Sequence, residues 1–270
     1  MNVTGVSAAQ VGWFRRATAP STFTKSHKWD HNFFALILAL VWIGILMGFG
    51  PEILRRAATH QPAFPTIVHI HAAVFVTFLC VLTVQVLLVR VGRTDIHRKL
   101  GIAGAVLYVV VIVLGLAVSV IVDHVLFATP QADPSFISIQ LADMLSFAVL
   151  GGAALALRKT PQAHKRLMII AVICIADAGF SRWWAEGLHH FLVGHGPETL
   201  ADGYWVNWAE LYLSDFLLIA ILGFYDLITR RRLHPAYVFG AVWGLGFELI
   251  AVGLYVSPWW KPVATALIGY

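Results

Sequence analysis

The sequence predicts an all-α, polytopic bundle of about seven transmembrane helices. Three observations carry that expectation. Hydrophobic residues make up 59% of the 270-residue chain and charged residues only 12%. Mean hydropathy is +0.77. Apolar stretches of spanning length follow one another between short loops. A bilayer core needs roughly 20 apolar residues per helix. Continuous apolar runs with scattered glycines suit helices rather than the period-2 strands of a membrane barrel.

The predicted spans are residues 33–49, 67–89, 101–122, 136–157, 167–188, 208–228 and 236–256. The first is short, and the fifth is interrupted by Asp177, Arg182 and Glu186. Residues 1–30 read as a tail, 31–257 as one bundle and 258–270 as a second tail. The N-terminal tail lacks the basic-then-apolar order of a cleavable signal. Its Trp13 and Phe14, beside Arg15 and Arg16, suit either a membrane surface or a free tail.

A sequence pI near 9.4 raises the question of nucleic acid, but the basic residues form no patch. Arg15, Arg16, Lys25 and Lys28 precede span one, and Arg90, Arg93, Arg98 and Lys99 follow span two. Arg158, Lys159, Lys165 and Arg166 follow span four, and Arg230, Arg231 and Arg232 follow span six. With seven spans all four clusters fall on one side. The opposite loops carry Asp123, Asp133, Glu198 and Asp202, with Arg55 and Arg56 as exceptions. The positive-inside rule then sets the N-terminus in the cytoplasm and the C-terminus outside. The charge reports topology, and nucleic acid is excluded as a partner.

The basic turns resemble one another. Each joins a basic cluster to one histidine just before a helix: His97 before span three, His164 before span five and His234 before span seven. Asp143 precedes His164 at nearly the distance at which Asp215 precedes His234. Asp177 and Glu248 follow the same two histidines at nearly equal distances. The pattern predicts three repeated helical hairpins plus one N-terminal helix; the need for basic turns would by itself produce part of the likeness.

A helix rise of about 1.5 Å per residue places His71, Asp143, Asp215, Arg182, Glu248 and Asp177 between about 6 and 17 Å below the outer surface. A charge facing lipid costs several kcal/mol, so these side chains are expected to face inward and meet partners. Asp143 and Arg182 are expected to pair. Asp177, Asp215 and Glu248 then have no base left and must be protonated, hydrated, hydrogen-bonded or bound to a cation.

Twelve histidines are many for such a chain. His69, His71, His124, His189 and His190 gather at the outer ends of the predicted spans and are the candidate metal ligands, for zinc, copper or iron. Residues two apart on a helix point about 200° apart, so one of His69 and His71 serves unless the helix starts between them. A b-type haem is the other cofactor expected, on His71 with His189 or His190 outside, or on His97 and His164 inside. Contact with lipid phosphates is the competing role for His97 and His164. Cys80 and Cys174 sit mid-span in different helices and read as packing residues. Tyr204, Trp205, Trp208, Trp259 and Trp260 read as interfacial anchors. The motifs of serine hydrolases, zincins and phosphate-binding loops are missing.

The segment from His69-Ile70-His71 through Gln85, Arg90 and Arg93 to His97-Arg98-Lys99-Leu100-Gly101 resembles a widespread bacterial family of multi-pass membrane proteins of unknown function. The segment from Asp143 to His164-Lys165-Arg166-Leu167-Met168 fits the same pattern, so the resemblance spans residues 65–190. It implies the bacterial inner membrane and one continuous bundle, and no activity. A more distant likeness to cytochrome b561-type bundles rests on helix number and on histidines at both membrane faces, from which this chain departs by placing them near span ends.

Three functions follow as expectations. The first is a metal- or haem-binding membrane redox protein, with Asp143, Asp177, Arg182, Asp215 and Glu248 as supporting or proton-relaying groups. The second is a proton-coupled transporter built on Asp177, Asp215 and Glu248. The third is a non-catalytic subunit or assembly partner of a membrane complex. The expected partners are the lipid bilayer, other membrane subunits or a quinone.

Overall fold

A computed structural model describes residues 23, 26–60, 64–127, 129, 133–193 and 200–270; for 200–202 it describes backbone alone. Trp13, Phe14, Arg15, Arg16, Lys25, His195 and Glu198 therefore lie outside the described residues, as does the Asp202 side chain. The helices are α1 (Asp30–Ala58), α2 (Thr66–Arg90), α3 (Thr94–Leu126), α4 (Ile137–Ala156), α5 (Pro161–Ile173), α6 (Asp177–Val193), α7 (Leu200–Arg230), α8 (Pro235–Tyr255) and α9 (Trp260–Leu267). A 3₁₀ turn, Pro134–Phe136, leads into α4. The described residues form an all-α bundle in which six helices are long and apolar enough to span a bilayer, or seven if α5 and α6 count as one bent span. This is an integral membrane architecture, and its lipid-facing shell is visible in exposed Leu36, Ile43, Val106, Val113, Phe224 and Val242.

The first span runs well beyond the apolar stretch that suggested it, through Pro51 to Ala58. Its last turns are amphipathic, with Glu52 bonded to both Arg55 and Arg56. Gly44 and Gly48 lie one turn apart on α1 and admit α6 at close quarters. A Cβ at Gly48 would meet the Gly179 carbonyl at 2.0 Å, and a Cβ at Gly179 would meet the Gly44 carbonyl at 2.7 Å. Small-residue pairs of this spacing let membrane helices pack backbone to backbone. α1 is thereby clamped to α6 just below its start.

The fifth span is two helices, bent by 46°. Between them Cys174, Ile175 and Ala176 form a turn closed by Ile175 N–H to Val172 O and Ala176 N–H to Ile173 O, at 3.3 and 2.8 Å. These tighter bonds satisfy backbone groups that the break would otherwise strand in a water-poor interior. Asp177 opens α6, its carboxylate turned onto the Ala178 amide. A short acid that competes for backbone amides is a helix-start signal.

The basic turns share a device. His97 Nδ1 lies 3.4 Å from Gln85 O, and His164 Nδ1 lies 2.8 Å from Ala154 O. Each ring ties the start of a helix to the last turns of the helix before it. His234 departs from the pattern: its Nδ1 accepts from Ala236 N–H at 3.0 Å and caps α8. Residues 258–270, expected as a tail, contain α9. Trp260 donates to Ser135 O at 3.1 Å, and Tyr270 stacks on His124 and Phe127.

Candidate functional site

At the basic end lies a buried ion network. Asp30 accepts from Lys165 Nζ at 2.6 Å, Tyr225 Oη at 2.6 Å and Arg230 at 2.7 Å. Arg166 and Asp226, respectively 1% and 2% exposed, make a two-pronged ion pair that Arg230 flanks. The Phe23 ring lies over the guanidinium groups of Arg166, Arg230 and Arg232. Asp30 binds the start of α1 to α5 and α7, so the network reads as a structural lock. Sequence reasoning assigned these cations to topology and missed Asp30 and Asp226 as their partners.

The second polar centre sits farther along the bundle. Asp215 is about 22 Å along α7 from Arg230, by helix rise. The break between α5 and α6 supplies Cys174 and Asp177, α4 supplies Asp143, α7 supplies Tyr212 and Asp215, and α8 supplies Glu248. Asp177, Asp215 and Glu248 are buried, and Asp143 is partly buried. The Asp143 and Asp177 carboxyls lie within hydrogen-bond reach of each other, which requires a proton or another cation between them. Tyr212 Oη donates to Asp143 Oδ1 at 3.0 Å, and Ser214 Oγ to Asp215 Oδ1 at 3.3 Å.

Several oxygens are left over. Asp177 Oδ1, Asp215 Oδ2 and both Glu248 carboxylate oxygens are buried without a hydrogen-bond partner. Trp208 Nε1 lies near Glu248 but makes no hydrogen bond of normal geometry. Such groups are expensive in a low-dielectric interior and call for a proton or a bound cation. Of the side chains expected to face inward, the four carboxylates gather around the helix break, and the histidines expected with them do not join.

The pairing expected between Asp143 and Arg182 is not what the structure holds. Arg182 bonds its own helix at Ala178 O and covers the Phe49 ring at 4.8 Å. α6 starts anew at Asp177, and the Arg182 side chain lies against Phe49 of α1. Arg182 lies within electrostatic range of Asp177 and His71. The histidines do not form a common ligand set among the described residues. His69 and His190 are exposed. His71 packs on Phe75, with Nδ1 unpartnered. His124 lies 2.7 Å from Ile268 O, and His189 lies 2.6 Å from Glu210 Oε1. Among the described residues, ligand atoms from three His, Cys, Asp or Glu side chains come together at Cys174, Asp215 and Glu248. Sequence reasoning treated Cys174 as packing and Trp208 as an anchor, and passed over Tyr212. The available signal was Cys174, one turn before an acid inside an apolar span.

Compared with protein-family models, curated proteins and solved structures, the chain matches none.

Proposed function

We propose that this integral membrane protein is a proton-coupled carrier whose cargo, a cation, is bound by the carboxylates at the break between α5 and α6. One observation carries the reading: four acids from α4, α6, α7 and α8 meet where a span is interrupted, and several of their oxygens have no donor. Carrier sites near the membrane midplane use interrupted helices because their ends present free carbonyls and amides to ions. Here α5 ends and α6 begins beside the acids, and the amide end faces Asp177. The carboxylates exchange protons for cargo because their negative charges cannot stand together unbalanced.

Proteoliposomes loaded with a lumenal pH dye and challenged with a gradient of Na⁺, K⁺, Mg²⁺, Ca²⁺, Mn²⁺ or Zn²⁺ test this. At least one cation should drive a lumenal pH change, and Asp215→Asn, Glu248→Gln and Asp177→Asn should abolish it. A response that survives Asp177→Asn, or none from any cation, defeats the reading.

The redox alternative has one observation in its favour. The His97 and His164 ring centroids lie 6.4 Å apart with Nδ1 of each turned to a carbonyl, so Nε2 of each is the nitrogen that would serve an iron. A haem absorbance band lost on substituting either histidine would support it; a colourless protein would end it.

A further inference from the structure

We propose that Cys174, Asp215 and Glu248 bind a divalent transition-metal ion and that this ion is the carrier's cargo; the second half rests on the carrier reading above. The donors come from three segments: the turn between α5 and α6, the middle of α7 and the outer half of α8. One ligand atom of each lies within 4.8 Å of the others. The three residues are 2%, 0% and 4% exposed, and Asp215 Oδ2 and both Glu248 oxygens lack any hydrogen-bond partner. Space for the sulfur is reserved: a Cβ at Gly244, one turn before Glu248, would come within 3.1 Å of Cys174 Sγ.

The donor set selects the class of ion. Mg²⁺ and Ca²⁺ take oxygen ligands and ask for six or more, whereas sulfur favours Zn²⁺ and its neighbours. Metal–sulfur bonds of about 2.3 Å and metal–oxygen bonds of about 2.1 Å put tetrahedral donors roughly 3.5 Å apart. The three donor atoms, now within 4.8 Å of one another, would have to draw in by about 1 Å to reach that spacing, and a fourth position would fall to Asp177 or to water. Metal binding takes up the thiolate and carboxylate forms and frees their protons. Protons and metal then occupy the same atoms in turn, as an exchanger requires.

The test uses untagged, detergent-purified Cys80→Ser protein, which changes only an exposed cysteine and leaves Cys174 as the single thiol. Titration with Co²⁺ should raise a thiolate-to-cobalt charge-transfer band in the near ultraviolet that saturates at one equivalent. Zn²⁺ should bleach it, and a large excess of Mg²⁺ should not. Adding Cys174→Ser should remove the band; adding Asp215→Asn should keep the thiol and weaken Co²⁺ binding by roughly tenfold or more. No band in the Cys80→Ser protein overturns the site, whatever the further variants do. Zn²⁺ uptake into proteoliposomes of the same protein separates the two claims. A band with uptake supports both. A band without uptake keeps the metal site and overturns its role as cargo. Proton-coupled movement of another cation with no band keeps the carrier and overturns the metal site.

Discussion

Burial sets the consequence of each polar contact in this molecule. Asp226 neutralises an Arg166 guanidinium that is 1% exposed, so Asp226→Asn leaves a cation in the interior without its counterion. Removing one partner of a buried pair costs about 3–5 kcal/mol. The variant should melt well below the wild type in detergent, whereas Asp95→Asn, whose exposed pair with Arg93 is worth little, should not. His234 provides a pH-dependent counterpart outside the spans. Burial, with Arg166, Lys165 and Arg230 nearby, pushes its pKa from 6.5 down to about 4, against a weaker pull from Asp226. Between those values the unfolded chain carries the extra proton, so this contribution to stability is complete above the unfolded value and is lost as pH falls toward 4. Protonation also removes the lone pair that caps α8. Asn is a good N-cap and does not titrate in this range. The melting temperature of His234→Asn should therefore fall less than that of the wild type as the medium is acidified.

The bent α5–α6 pair joins packing to chemistry at the scale of elements. α6 is held against α1 by glycines, and its first residue is one of the clustered acids. Gly179→Leu would drive a side chain into the Gly44 carbonyl, where neither backbone can yield. Overpacking of this kind costs about 1–3 kcal/mol or more. It should lower the melting temperature and, by displacing Asp177, reduce proton-coupled flux. Gly50→Ala, which meets nothing within 4 Å, should do neither. A Gly179→Leu protein with wild-type flux would show that the α1–α6 crossing does not position the acids.

The described residues hold two polar centres along the bundle axis, a lock of three cations on two acids at the basic end and an acid-rich cluster with unpartnered oxygens farther along. The lock joins α1, α5 and α7 through ion pairs, whereas the acid cluster keeps carboxylate oxygens without donors. By the positive-inside rule, the Arg and Lys excess of the basic turns predicts that this end faces the cytoplasm. In a Cys80→Ser background, an impermeant maleimide should label Lys261→Cys in intact cells and Lys159→Cys only after lysis. The reverse pattern would invert the orientation.

Hydropathy alone marked the spans, because a bilayer imposes one length and one composition on any helix that crosses it. It also marked the acids, since an ionisable residue in an apolar run is conspicuous without coordinates, and through the helix rise it placed Asp143, Asp215 and Glu248 at similar depth, with Asp177 deeper. Direction was not legible. Whether Arg182 faces Asp143 depends on the rotation of α6, and that rotation is reset at the break after Ile173. Partners distant in sequence were hidden for the same reason: Asp30 finds Lys165 and Arg230, and Cys174 finds Asp215 and Glu248, only through helix packing. Composition and periodicity, which act along one chain, determined the bundle and the depth of its charges. Helix rotation and close packing at glycines, which act between segments, decided which charges meet.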